Sequence, residues 1–315
     1  MLMEILFLII GLALLFAGGE ALVRGAVALA AKIGMSPLII GLTVVGFGTS
    51  TPELVVSIKA AFEGSADIAV GNVVGSNTAN ILFILGVAAL ISPIPTMIAG
   101  IRRDLYVMLA VAVLMLGLGY MGIIDRLAGG VMVALLVAYV AYAAVNSKTS
   151  PEDQDETQQQ ANMPVWQQAA YIIGGLVLLI LGADYLIGSA TTIARAIGVS
   201  EAVIGLTIVA VGTSLPELAT SVIAAFRKHS EIAIGNVVGS NIYNILGILG
   251  VASLLKPLSI APTMTSFDIP VMLAVTLLLV VAMLAFRSIS RSIGAGFVLI
   301  YVAYCVWLYT QTPAA

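Results

Sequence analysis

Apolar residues fill this chain in blocks of about 20, each long enough at about 1.5 Å per residue to cross about 30 Å of hydrocarbon. Polar and charged residues are confined to short gaps between the blocks. The pattern predicts ten membrane-spanning helices, over residues 5–31, 37–62, 68–91, 105–121, 127–145, 165–196, 203–226, 232–255, 269–286 and 293–309. The first block has no basic leader and no A-x-A cleavage site, so it is read as a retained span rather than a signal peptide. One stretch breaks the pattern by length: residues 147–164, rich in Glu, Asp, Gln and Ser, read as a flexible linker.

The blocks repeat. Gly41 to Gly86 reads GLTVVGFGTSTPEL…GNVVGSNTANILFILG and Gly205 to Gly250 reads GLTIVAVGTSLPEL…GNVVGSNIYNILGILG, with roughly 29 of about 46 positions identical and no gap. The chain therefore divides into a first five-helix repeat (1–146), the acidic linker (147–164) and a second five-helix repeat (165–315). Five spans is an odd number, so the second repeat enters the membrane from the opposite side and the repeats are inverted. The expected fold is an all-α integral membrane protein of two inverted repeats.

Composition agrees, with 61% hydrophobic and 9% charged residues against roughly 25% charged in a soluble domain. Placing the N-terminus outside puts roughly nine Lys and Arg residues in cytoplasmic loops and about four outside. Both termini are then outside a cell membrane, the inner membrane in a bacterium, and the linker is cytoplasmic. A lone cysteine, Cys305, excludes an intrachain disulfide and a thiolate metal cluster. No basic stripe suggests nucleic acid, and no feature marks a cofactor or an obligate protein partner. The acidic cluster Glu152, Asp153, Asp155 and Glu156 reads as part of a solvated linker.

Each repeat puts one glutamate, Glu53 or Glu217, inside an apolar span. A charged residue at the bilayer centre costs about 2.5–3.5 kcal/mol or more, and such residues mark ion pathways. Lys59 lies six residues after Glu53, but the second repeat has Ile223 there, so no basic partner serves both halves. In Gly48-Thr49-Ser50-Thr51-Pro52-Glu53 and Gly212-Thr213-Ser214-Leu215-Pro216-Glu217, proline removes an N–H and crowds the carbonyl four residues back, which predicts a broken helix. Broken backbone at that depth survives where protein, water or ions satisfy it. Downstream, Ser76 and Asn80 share one helical face, as do Ser240 and Asn244. Gly71, Gly75, Gly235 and Gly239 allow close helix approach. Those glycines and serines alone are equally explained by packing; the paired carboxylates point to cation binding. Oxygen-only donors of this kind suit Na⁺ and Ca²⁺ rather than Zn²⁺ or copper.

The doubled GTS-x-PE…GN-x-x-GSN-x-x-N pattern resembles the alpha repeats of the sodium/calcium exchanger family among the cation/calcium antiporters, over nearly the whole chain. The resemblance implies Glu53 and Glu217 as paired Ca²⁺ ligands, with the carbonyls of Thr49 and Thr213. It implies flanking Na⁺ sites at Ser50, Ser76, Ser214 and Ser240 with the carbonyls of Gly46 and Ala210, and places Asn80 and Asn244 at the centre. Some members carry Asp where this chain has Asn244, so the centre here has two carboxylates rather than three, holding either an ion or a water. The implied activity is electrogenic Na⁺/Ca²⁺ exchange by alternating access, with the first and sixth spans moving and Ca²⁺ and Na⁺ as substrates rather than cofactors.

Ca²⁺/H⁺ exchange is the alternative, because two nearby carboxylates in a low dielectric repel and one can hold a proton. An intramembrane hydrolase would need an Asp dyad, a Ser/His pair or an HExxH sequence, and none is present. Inverted repeats with broken helices argue against a passive channel. Glu20 and Asp184, at matching positions, read as orienting residues, with Glu20 four before Arg24. Asp67, Asp125, Glu231 and Asp268 at span ends and His229 in a loop read as solvated.

Overall fold

The computed structural model of the chain describes residues 2–146, 163–197 and 210–311. The acidic cluster of the expected linker and the first seven residues of the expected seventh span (203–209) lie outside them. The described chain is helical. In order it forms α1 (Leu2–Ile33), α2 (Pro37–Thr49), α3 (Thr51–Glu63), α4 (Ala66–Ile91), α5 (Ile101–Met121), α6 (Arg126–Val145), α7 (Val165–Ala196), α8 (Ala210–Thr213), α9 (Leu215–Phe226), α10 (Ser230–Leu255), α11 (Met264–Ala285) and α12 (Arg291–Gln311). Among the described residues eight helices are long and apolar enough to cross a membrane, or nine if the bent pair α2–α3 is one span.

Local chemistry sets the helix ends. The Ser36 hydroxyl accepts from the Ile39 N–H and Pro37 occupies the first turn of α2, where its missing donor is harmless. Asp125 caps α6 by accepting from the Ala128 N–H at 2.8 Å, so this span-end acid has a structural task besides solvation. Several helices begin before the apolar run does. α5 starts at Ile101 rather than 105, and α11 at Met264 rather than 269. Charge ends a hydropathy run but not a helix.

Large apolar side chains such as Phe16, Val137 and Leu299 lie on the outer surface, while Ser, Thr, Asn and two Glu side chains are buried inside. That inversion is the pattern of a multi-pass membrane protein, because lipid covers the outside and backbone polar groups are satisfied within helices.

The halves interleave. α1 runs antiparallel along α7: a Cβ on Gly18 would stand 2.8 Å from the Gly175 carbonyl, and one on Gly11 2.9 Å from that of Gly182. α4 packs on α12 at Gly86 and Gly294, and α10 packs on α6 at Gly250 and Gly129. Two short antiparallel bridges tie loops of one half to loops of the other. β1 (Ile94–Pro95) pairs with β4 (Ser288–Ile289), and β2 (Ile123–Ile124) with β3 (Leu258–Ser259).

At the start of α5, Arg103 donates from Nε and Nη2 to the two Asp104 carboxylate oxygens at 2.6 and 3.0 Å, and the Tyr139 hydroxyl of α6 donates to the same acid at 3.1 Å. Asp104 is fully buried, so deleting it strands part of a guanidinium charge. Asp104→Ala is expected to cost about 3 kcal/mol, and Tyr139→Phe about 1 kcal/mol, read as lowered melting temperatures of the purified protein. Equal melting points for Asp104→Ala and the parent would remove this tie from the stability of the fold. The matching acid in the second half, Asp268, receives the Tyr304 hydroxyl at 3.4 Å, so solvation alone does not account for it.

Candidate functional site

The helix breaks fall where proline and glycine predict them. α2 and α3 meet at Ser50 with a bend of 46°, and α8 and α9 meet at Ser214, whose backbone (φ −90°, ψ 9°) leaves the helical region as that of Ser50 does (φ −80°, ψ 11°). Each break sits one turn before its glutamate. Both Glu53 and Glu217 are only 1% exposed.

The two breaks are joined crosswise. Ser50 Oγ donates to Glu217 Oε1 at 2.8 Å, and Ser214 Oγ donates to Glu53 Oε1 at 3.2 Å. Each repeat thus supplies the hydroxyl that holds the other repeat's carboxylate. Lys59 is no partner for either. Its ammonium faces Glu63 at 3.9 Å in an exposed pair.

α4 and α10 supply the complement. Ser214 Oγ lies 3.4 Å from Ser76 Oγ, and Ser240 Oγ donates to the Gly46 carbonyl at 3.2 Å. The Thr49 hydroxyl donates to Asn236 Oδ1 at 3.1 Å, while Thr213 is buried one residue before its break. Asn72 and Asn236 brace the bent helices, donating to the carbonyls of Glu53 and Glu217 at 3.3 and 3.2 Å and to the hydroxyls of Ser57 and Ser221. Asn80 and Asn244 each open a π-helical turn, 80–84 and 244–249, which sequence periodicity does not announce.

All ten candidate residues are buried, and hydrogen bonds bring Ser50, Ser214, Ser76, Glu53 and Glu217 together at the two breaks. Four oxygens there are left with no hydrogen-bond partner: Glu53 Oε2, Glu217 Oε2, Asn80 Oδ1 and Asn244 Oδ1. An unsatisfied buried carboxylate oxygen is expensive, and two in matched positions, with two unsatisfied amide oxygens on the neighbouring helices α4 and α10, make an all-acceptor set suited to a hard cation. Among the described residues no group of three or more His, Cys, Asp or Glu side chains is placed to hold a metal ion.

Sequence reasoning missed further features. Asn77 and Asn241 lie inside the repeated motif, yet their crosswise hydrogen bonds, treated below, have no signature in spacing. The pair of Glu20 with Arg24 is present at 2.6 Å, but Arg227 also reaches Glu20 from the other half, at 2.6 and 2.9 Å. Asp184, matched to Glu20, is exposed on α7. A surface cleft of about 300 Å³ lined by Glu20, Arg24, Arg227 and His229 lies beside that ion pair, away from the two breaks.

The family model for sodium/calcium exchanger proteins matches residues 3–145 and again 168–310. The chain is 37% identical to the sodium/calcium exchanger MaX1 of Methanosarcina acetivorans, over 96% of this chain and 98% of that protein. It is also 37% identical to the inner membrane protein YrbG of Escherichia coli, over 98% and 96%. Its fold superposes on the solved structure of the sodium-calcium exchanger NCX_Mj with a TM-score of 0.85 at 31% identity, covering 98% of this chain and 99% of that one. An all-helical membrane fold with two matched, oxygen-lined helix breaks and a family match over both halves has one reading: the chain belongs to the sodium/calcium exchanger family.

Proposed function

We propose that this protein is a secondary active antiporter that exchanges Na⁺ for Ca²⁺ by alternating access, electrogenically, with Glu53 and Glu217 as the charged ligands. The observation that carries the proposal is the crosswise pair Ser50–Glu217 and Ser214–Glu53, which leaves one anionic oxygen per repeat unpartnered at a shared centre. Thr49, Thr213, Ser50, Ser214, Ser76, Ser240, Asn80 and Asn244 supply the remaining oxygens. NCX_Mj, described as a sodium-calcium exchanger undergoing extracellular ion exchange and binding-site occlusion, supports the same chemistry.

The chain crosses the membrane ten times, as two inverted five-helix repeats (1–146 and 165–315) joined by a cytoplasmic linker, with both termini outside. The bridges support inversion: the loop after the third span pairs with the loop after the ninth, and the loop after the fourth with the loop after the eighth, as opposite insertion requires. Antiparallel packing of α1 on α7 agrees. The membrane is the inner or cell membrane, the location that the name of the relative YrbG carries.

Charge accounting gives the mechanism. With both glutamates ionised, the unloaded site holds two negative charges in an apolar surround, and moving them past the sliding pair α1–α7 is costly. Ca²⁺, or Na⁺ in multiple copies, neutralises them, so only loaded states exchange sides and the carrier becomes obligately coupled. Each net charge moved per cycle couples to voltage at about 2.3 kcal/mol per 100 mV.

The second reading, Ca²⁺/H⁺ exchange, draws on the closeness of the two carboxylates. The buried hydroxyls of Ser50, Ser76, Ser214 and Ser240 favour Na⁺, because a proton needs no such shell. The decisive measurement is ⁴⁵Ca²⁺ uptake into proteoliposomes loaded with Na⁺, with K⁺, or with K⁺ under a pH gradient. Uptake is expected with the Na⁺ load alone; uptake driven by the pH gradient and not by Na⁺ transfers the assignment to proton exchange.

A further inference from the structure

Backbone carbonyls dictate which way the central amides point. Asn241 Nδ2 donates to the Asn77 carbonyl at 3.3 Å, and Asn77 Nδ2 donates to the Asn241 carbonyl at 3.1 Å. A carbonyl only accepts, so each of these side chains must turn its NH₂ toward the opposite backbone and its oxygen away. Those oxygens then receive the next amide in line: Asn80 Nδ2 donates to Asn241 Oδ1 at 3.0 Å, and Asn244 Nδ2 donates to Asn77 Oδ1 at 3.0 Å. With their NH₂ groups held in this way, Asn80 and Asn244 must present Oδ1 in the other direction, and these two amide oxygens are left unpartnered.

We propose that Asn77 and Asn241 are positioning residues that set the polarity of the cation site. Each acts across the repeat boundary: Asn241 fixes the oxygen of Asn80 toward the ion, and Asn77 fixes that of Asn244. A flipped Asn80 would set Oδ1 against Oδ1 at Asn241 and direct an NH₂ dipole at the cation, so the amide chain makes a neutral side chain behave as an oriented acceptor. All four side chains are buried, at 2% exposure or less, so water is not at hand to replace a lost partner. The inference rests on Asn80 and Asn244 being ligands, as proposed above.

The hydrogen bonds make a specific claim about coupling. Asn77 and Asn80 are three apart on one helix, and so are Asn241 and Asn244, so a merely structural role would couple each pair along its own helix. The observed chain couples 241 with 80 and 77 with 244. The test is a set of double-mutant cycles read as ⁴⁵Ca²⁺ affinity of the purified, full-length protein. Asn241→Leu is expected to weaken binding about tenfold or more, as loss of an outer partner of a metal ligand does. On an Asn80→Ala background the same change is expected to cost less than about twofold, whereas on Asn244→Ala it keeps its full effect of roughly tenfold. Additive losses for 241 with 80, or coupling confined to 241 with 244, overturn the proposal.

Asn241→Asp separates orientation from packing. It keeps an acceptor for Asn80 Nδ2 while losing the donor to the Asn77 carbonyl, and its negative charge favours cations, so Ca²⁺ affinity is expected to stay within about threefold of the parent or to rise. Binding as poor as the loss predicted for Asn241→Leu overturns the proposal even where the leucine variant does not fold. Unchanged Ca²⁺ affinity in Asn80→Ala instead removes Asn80 from the ligand set, a different failure from additive cycles on a weakened Asn80→Ala.

Discussion

Glu53→Gln and Glu217→Gln are each expected to lower Na⁺-driven Ca²⁺ uptake at least about 100-fold while leaving the fold intact. Glutamine keeps the side-chain shape and the acceptor for the serine from the other repeat, Ser214 for residue 53 and Ser50 for residue 217. It removes one unit of negative charge from the centre. Two unit charges about 4 Å apart attract by about 4 kcal/mol at an effective dielectric of about 20, and a divalent ion doubles the interaction. Even after the desolvation that offsets it, a net loss of roughly 3 kcal/mol corresponds to about two powers of ten in affinity. The uncharged side chain is less costly to bury, so the melting temperature in ion-free buffer is expected to hold or rise. Added Ca²⁺ stabilises the parent by mass action and is expected to have little effect on either variant. Normal Ca²⁺ flux in either variant would place the site elsewhere.

Gly239→Ala is expected to be the most damaging single-methyl change in the motif, reducing both the yield of folded protein and transport. α10 lies directly on the π-helical turn 41–45 of α2, and a Cβ on Gly239 would overlap the Leu42 carbonyl and Cα. One on Gly235 would stand 2.6 Å from the Leu38 carbonyl. The obstacles are main-chain atoms, so no rotamer change relieves them and the helices must separate. Overpacking of this kind costs about 1–3 kcal/mol or more, and the separation also pulls Ser240 from the Gly46 carbonyl. Gly117→Ala on α5, where no described atom lies within 4 Å, is the matched control and is expected to be neutral or slightly stabilising. A Gly239→Ala protein with parental melting temperature and flux would show that these helices have slack that their contacts do not suggest.

Much of the site was legible because the repeat supplies its own comparison. A glutamate at one apolar position can be an accident; the same residue after the same Gly-Thr-Ser-x-Pro in both halves gives its neighbours meaning, and Glu53, Glu217, Ser50 and Ser214 do meet in the structure. The break at Ser50 was legible because proline acts locally. What spacing could not supply were relations between segments far apart in sequence. Arg227 reaching Glu20, Tyr139 reaching Asp104 and Asn77 facing Asn241 depend on how helices cross, and one sequence carries no record of that. The π-helical turns beginning at Asn80 and Asn244 were hidden for another reason: one extra residue per turn leaves an apolar segment looking equally apolar.

The crosswise bonding has a consequence for biogenesis. When the ribosome has delivered residues 2–146, it has made only one donor or acceptor of each reciprocal contact: Ser50 without Glu217, Glu53 without Ser214, strands 94–95 and 123–124 without partners. The first half must wait in the bilayer with these groups uncompensated until the second half inserts. Completion of these contacts thus needs both halves, and neither half, expressed alone, carries more than half of the proposed ion ligands.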